Sequence, residues 1–268
     1  MLGPAQHVRP ATCEEGVHAL SASTDDVCYA GGTELVPAMQ MGLVRPTRLV
    51  DLKGIDALQH VSAEGSVVRI GAGATHQRVA DDPIIGKGLP VLAQVARRIG
   101  NPRVRAQGTV GGNLCFAEPR SDLLPTLLAL DAELELLTIQ GATRRPLADM
   151  LLGPYALDLE PGQLLTAVRV DGKAILHQRY AKFQVLERPT AGVALIGRGG
   201  AWTVGVGSAG HETLTERFAT LDDVDATGVA DAIDPVEDLT GKADYKRHLV
   251  RELLNGLVDQ ARLQDVTR

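Results

Sequence analysis

The sequence predicts a mixed helix-and-sheet protein, and three observations lead there. Apolar residues make up 44% of the 268 positions while aromatics supply only 3%, so the core is built from Leu, Val, Ile and Ala. Twenty-nine glycines and fourteen prolines call for many tight turns and close backbone approaches, which a helical bundle does not need. Short alternating segments of strand type are interleaved with helical ones along the whole chain.

Taken in order, Thr12-Cys13-Glu14-Glu15 has the spacing of a capping box, with Val17 and Leu20 as the apolar face of a first helix. A short strand over residues 27–30 runs into Gly31-Gly32, and residues 33–41 restart as a helix. Residues 48–52 read as a strand that ends near Lys53-Gly54, and residues 67–70 as another that enters the tight run 71–75. Leu92, Val95, Ala96 and Ile99 share one face of a helix over residues 90–99. Residues 133–139 and 164–170 are strand candidates, and Asp171-Gly172 marks a domain boundary. Beyond it, Trp202, Val204 and Val206 share one face of a strand over 201–207. The polar run 220–238 reads as a partly helical surface connection. Tyr245, Leu249, Leu253 and Leu257 form the apolar stripe of a terminal helix that Gly256 weakens.

Several function classes drop out early. The net charge is −6 with no basic cluster, so nucleic acid is not an expected partner. No segment has signal-peptide character or membrane-spanning length, which predicts a cytoplasmic protein. Cys13, Cys28 and Cys115 are too few and too scattered to hold an iron-sulfur cluster, and the seven histidines lack metalloprotease spacing. No metal site is expected on this chain, and no catalytic acid, base or nucleophile stands out.

The chemical signal is a pair of glycine loops. One is Ala30-Gly31-Gly32-Thr33-Glu34-Leu35, the other Thr109-Val110-Gly111-Gly112-Asn113, and Pro37 and Pro125 fall early in the helices that follow. Glycine admits left-handed backbone angles and removes the side chain that keeps a phosphate away, so successive N–H groups can face phosphate oxygens. Thr33, Thr109 and Asn113 add side-chain donors, and two such loops suit a dinucleotide with two phosphates. A valine at Gly111 would then crowd the phosphate. The plainer reading stays open: paired glycines make turns, and Thr33 or Asp122 can serve as helix caps. Neither loop fits a P-loop or a Rossmann fingerprint.

Across nearly its whole length the chain resembles the FAD-binding medium subunits of the xanthine dehydrogenase and carbon monoxide dehydrogenase family, the molybdenum hydroxylases. The resemblance rests on an ordered set: HVRP at 7–10, AGGTELVP at 30–37, IGAGAT at 70–75, VRAQGTVGGNLCFAEPRSDLLP at 104–125, LLALDAELEL after it, PGQLL at 161–165, YAKF at 180–183, the glycine-rich 204–210 and YKRHL at 245–249. It implies an α+β fold: a PCMH-type FAD-binding domain over 1–170, made of two subdomains with a break near 54–60, then a smaller C-terminal α/β domain over 171–268. It implies that Ala30, Gly31, Gly32, Thr33, Glu34 and Leu35, with Thr109, Val110, Gly111, Gly112 and Asn113, hold the FAD pyrophosphate. Ile70, Gly71, Ala72, Gly73 and Thr75 would line the flavin site, and Asp122 would bind the ribose or nearby polar groups.

The same resemblance implies a large partner subunit with a molybdenum-pterin cofactor and a small one with two [2Fe-2S] clusters, assembled as a dimer of heterotrimers. This chain would pass electrons from those clusters to an external acceptor. The alternative is a stand-alone FAD-dependent oxidoreductase with a related cofactor cradle. Two departures from the family pattern stand out. Glu34 puts a carboxylate beside the expected pyrophosphate, unfavourable unless it faces solvent or a cation, and Glu118-Pro119-Arg120 replaces a more neutral stretch.

Overall fold

The computed structural model describes residues 5–23 and 25–266. The chain opens with β1 (Gln6–Val8), α1 (Cys13–Leu20), β2 (Asp26–Tyr29), α2 (Leu35–Gln40) and β3 (Arg48–Asp51), whose strands form a parallel sheet in the order β1-β3-β2. The first helix starts as its sequence says, with Thr12 Oγ1 accepting from the Glu15 N–H at 3.2 Å. The Glu15 carboxylate closes the turn one residue early, on the Ala11 N–H at 2.8 Å.

Two short 3-10 turns, Leu52–Gly54 and Asp56–Leu58, lead into a second sheet. Its strands are β4 (Val61–Glu64), β5 (Val67–Gly71), β6 (Glu133–Thr138) and β7 (Gly141–Pro146), and the later Leu164–Asp171 completes it. It is antiparallel throughout, with the Leu164–Asp171 strand between β5 and β6.

Between β5 and β6 the chain makes six helices: α3 (His76–Asp81), α4 (Pro83–Gly88), α5 (Pro90–Arg97), α6 (Pro102–Gln107), α7 (Val110–Phe116) and α8 (Leu123–Ala129). Only α5 was legible as a full helix, because the others span two turns or fewer and their ends are set by local caps. Asp82 caps α4, Asn101 caps α6 and Thr109 caps α7. After β7 come α9 (Leu147–Met150), the small hairpin β8 (Leu151–Gly153) and β9 (Ala156–Leu157), then β10, the Leu164–Asp171 strand.

The remaining strands, β11 (Ile175–Phe183), β12 (Ala191–Arg198), β13 (Ala201–Gly207) and β14 (Leu214–Phe218), make an antiparallel meander. Helices α10 (Ala226–Ala232) and α11 (Ala243–Val266) follow. Strand β12 is covered on both faces, which explains its nearly unbroken apolar run. Ala194 and Ile196 join the core of the five-stranded sheet and α8, while Ala191, Val193 and Leu195 join a second core with Val250, Leu254 and Val258 of α11. On β13, Trp202, Val204 and Val206 face that second core as expected.

The terminal helix corrects its predicted stripe. Tyr245 is 41% exposed and Leu249 and Leu253 lie at the margin, whereas Lys246, Val250, Leu254, Leu257, Val258 and Ala261 are buried. A strict four-residue series drifts around a helix of 3.6 residues per turn, so it cannot hold one face for four turns. Lys246 tolerates burial because its ammonium donates to the Val236 carbonyl at 2.6 Å and pairs with Asp238 at 3.0 Å. Gly256 does not interrupt the helix, which continues to Val266. The 220–238 connection is partly helical, yet it is not wholly a surface element: Val229, Ala230 and Ile233 are buried against α11.

Candidate cofactor site

A cavity of 1100 Å³ opens where the parallel sheet, the turn after β5, α7 and the β11–β12 hairpin loop meet. That is at or above the upper end of the roughly 300–1,000 Å³ usual for small-molecule sites, a size suited to an extended ligand. Ala30, Gly31, Gly32, Thr33, Glu34 and Leu35 line it from β2 and α2. Ala72, Gly73 and Thr75 line it from the turn after β5, and Thr109, Gly111, Gly112, Asn113 and Asp122 from the second loop and beyond. Ile70, Gly71 and Val110 do not line it: Ile70 and Val110 are core residues, and the Gly71 N–H is bonded to the His60 carbonyl at 2.8 Å.

The two glycine loops touch. A Cβ on Gly31 would stand 2.0 Å from the Gln107 carbonyl oxygen, so only glycine lets the first loop rest on the entry to the second. Gly32 takes φ +72°, and among the described residues the N–H groups of Gly31, Gly32, Thr33 and Glu34 donate no hydrogen bond to the chain. Four successive unpaired donors on residues of a cavity wall are the kind of backbone that can receive an anion.

The second loop is built differently, which corrects the expectation that its amides face a phosphate. Its glycines sit inside the first turn of α7 rather than at a strand or turn boundary. Val110 N–H donates to the Ala74 carbonyl at 3.0 Å and Gly111 N–H to the Ala72 carbonyl at 2.8 Å. Gly112 N–H donates to Thr109 Oγ1 at 3.0 Å and Asn113 N–H to the Thr109 carbonyl at 2.9 Å. A Cβ on Gly111 would meet Ala72 Cβ at 2.6 Å, so a valine there crowds the turn after β5, not a phosphate. What this loop can offer a ligand are the Thr109 hydroxyl, which accepts from Gly112 N–H and keeps its own O–H to donate, and the Asn113 side-chain N–H₂, whose own carbonyl oxygen accepts from Ser121 Oγ at 2.7 Å.

Neither suggested cap is one. Helix α2 has no side-chain cap at all, and at α8 it is Ser121 Oγ that accepts from Leu123 N–H at 3.1 Å. The Asp122 carboxylate turns instead to β11, where the Tyr180 hydroxyl donates to one oxygen and the Lys182 ammonium lies 2.7 Å from the other. Lys182 also donates to the Arg98 carbonyl at 2.9 Å. Burial first, then the neighbouring Asp122 charge, hold the Tyr180 hydroxyl protonated well above its usual range. Asp122 therefore ties the meander to the wall of the cavity.

Several lining residues escaped the sequence reading. Lys53 follows the carboxyl end of β3 as Gly31 follows that of β2, and its ammonium stands 4.0 Å over the Tyr29 ring. The rule that ligands gather beyond the carboxyl ends of parallel strands would have singled it out. Cys28 and Cys115 are exposed on the cavity wall, and the protein packed around their sulfurs pushes both thiols up to about 12. His76, buried beneath the second loop with no partner for Nδ1, is lowered by burial to about 4 and is neutral at physiological pH. Among the described residues no cluster of three or more His, Cys, Asp or Glu could hold a metal ion, and no helix is long and apolar enough to cross a membrane.

Together, a dinucleotide-sized cavity, a row of free amides and an adjacent lysine define a nucleotide-cofactor protein of α+β type. Residues 3–170 match the family described as "FAD binding domain in molybdopterin dehydrogenase", and the chain belongs to that family. The carbon monoxide dehydrogenase medium chain of Hydrogenophaga pseudoflava is 29% identical, with 94% of this chain and 95% of that one covered. The nicotine 6-hydroxylase medium subunit of Paenarthrobacter nicotinovorans is 27% identical, with 96% of each covered. Among solved structures, reconstituted CO dehydrogenase from Oligotropha carboxidovorans superposes with a TM-score of 0.90 at 27% identity, covering 98% of this chain and 99% of that one. The cavity suits FAD: its volume is adequate, and the free amides and Lys53 supply the positive potential that a diphosphate needs.

Proposed function

We propose that this chain is the flavin subunit of a cytoplasmic, heteromeric molybdenum-dependent hydroxylase. In this reading it accepts electrons from [2Fe-2S] clusters on a small partner and passes them to an external acceptor, while a large partner carries the molybdenum-pterin cofactor and the organic substrate. A dimer of such heterotrimers is the proposed assembly, and the division into a FAD-binding domain over 1–170 and a C-terminal domain over 171–268 is part of the same proposal. The observation that carries it is the row of free N–H groups from Gly31 to Glu34 on a cavity of 1100 Å³, in a chain of the FAD-binding family.

Bound there, FAD would supply the redox chemistry, and the protein supplies position and electrostatics. The first loop would take the diphosphate on its amides, with Lys53 as the neighbouring cation. Asn113 would donate its side-chain amide to the cofactor from the second loop. Ala72, Gly73 and Thr75 would shape the floor, and Asp122, locked by Tyr180 and Lys182, would hold the wall against the meander. The buried, neutral His76 and the protonated thiols of Cys28 and Cys115 add no charge to the site.

The test is the flavin content of the protein purified alone and after co-expression with its two expected partners. Near-stoichiometric FAD released on denaturation, together with a stable three-subunit complex, is the expected result. Full flavin with no partner association would favour the stand-alone oxidoreductase. No flavin in either preparation would end the reading.

A further inference from the structure

The carboxylate of Glu34 lies at the start of α2, next to the free amides of the first loop, where it opposes any phosphate that approaches. Its partner comes from 154 positions away. Arg188, in the 184–190 loop between β11 and β12, donates from Nη2 to both Glu34 oxygens at 2.8 and 3.0 Å. Its Nη1 stands 3.3 Å from Glu118 Oε2. Glu118 is the other acidic departure from the family pattern, and its side chain is only 7% exposed. It is further held by the Tyr155 hydroxyl at 3.1 Å and by Arg120 at 3.5 Å. One guanidinium thus joins both glycine-loop regions to the meander, and Glu34, Arg120 and Arg188 all face the cavity.

We infer that Arg188 is a positioning residue for the diphosphate of the flavin. It neutralises the two carboxylates that would repel the diphosphate and straps the 184–190 loop across the first glycine loop. The inference rests on the FAD reading and deepens it. Two carboxylates and two guanidinium groups make a neutral quartet, and removal of Arg188 alone leaves an excess negative charge on the wall that the diphosphate meets. A planar guanidinium that bridges two carboxylates, one on each terminal nitrogen, holds geometry as well as charge. The effect is specific to phosphate, because a flavin without phosphate has no charge to repel.

The experiment compares equilibrium binding of FAD and of riboflavin to the full chain, or to the assembly if wild type retains flavin only there. Arg188→Gln is expected to weaken FAD roughly tenfold and riboflavin less than about twofold, with faster FAD release. The double variant Glu34→Gln/Arg188→Gln is expected to recover most of the FAD affinity, since it removes the carboxylate together with its partner and leaves Glu118 with Arg120. Equal loss for both flavins, no loss for either, or no recovery in the double variant overturns the inference. Should Arg188→Gln fail to fold, Glu34→Gln alone decides: it is expected to tighten FAD about threefold without touching riboflavin, and unchanged FAD affinity overturns the idea. Wild type that takes up neither flavin would remove the FAD reading itself, a separate failure visible before any variant is made.

Discussion

The two glycine loops look alike in sequence and do opposite work. In the first, the N–H groups of Gly31, Gly32, Thr33 and Glu34 are free, and the glycines open the backbone to a cavity. In the second, Val110, Gly111, Gly112 and Asn113 all use their N–H groups inside the protein, on Ala74, Ala72 and Thr109. There glycine is needed because α7 packs against the turn after β5 at a distance that no Cβ allows. One loop leaves its amides unpaired on a cavity wall, and the other is welded to the turn after β5. A Gly-Gly pair reports that a backbone comes close to something; it does not report whether that something is a phosphate or another strand.

The sharpest way to break this contrast is Gly111→Val. Its added carbons would meet Ala72 in the core, so stability of the flavin-free protein is expected to fall by about 3 kcal/mol. Denaturant melts of the apo form measure it, and an unchanged midpoint with lost FAD affinity would make the second loop a phosphate site after all.

The weld also contains His76, whose backbone N–H donates to the Gly108 carbonyl at 2.9 Å. With a folded pKa of about 4 against 6.5 unfolded, the folded state binds fewer protons between those values. Its contribution is therefore intact above pH 7 and lost as pH falls toward 4, about 3 kcal/mol in all. Melting curves from pH 7.5 to 4.5 should show that decline in wild type and a flatter profile in His76→Gln. Parallel profiles would place the acid sensitivity elsewhere.

Lys53→Met tests the open loop. It removes the cation that stands over Tyr29 on the cavity wall without disturbing the weld, and FAD is expected to bind about tenfold more weakly while the apo melting temperature stays put. A fall in melting temperature with no change in binding would make Lys53 a structural partner of Tyr29. The smallest effect belongs to the cap: Thr109→Ala should cost about 1 kcal/mol of stability through the freed Gly112 N–H, with FAD affinity following only as far as α7 shifts.

Much of the architecture was legible because it depends on local rules. The Thr12 cap, the strand at residues 48–51, the helix from Pro90 and the one-sided face of β13 follow from capping chemistry and from periods of 3.6 and 2. The register of α11 was misread, because regular spacing of Leu residues says less than which side of the helix the sheet covers. Lys246 took a core position that no hydrophobicity rule assigns, through bonds to Val236 and Asp238 that only the folded loop supplies. Of the short helices besides α5 between β5 and β6, only α8 was signalled, by Pro125; α3, α4, α6 and α7 were missed because each is held by its cap and neighbours rather than by an amphipathic pattern of its own.

For the site, the sequence by itself pointed to the segments that line the cavity, the glycine loops and part of the run at 70–75, and to the family. Glycine, proline and small polar residues in a fixed order are a local property, and such an order can be read without coordinates. The tertiary structure alone decided which donors are free. It withdrew Ile70, Gly71 and Val110 from the cavity wall, turned Asp122 toward Tyr180 and Lys182, and brought Arg188 to Glu34. Those outcomes depend on hydrogen bonds and ion pairs between residues far apart in the chain. A backbone amide is available to a ligand only when the rest of the fold has left it unpaired.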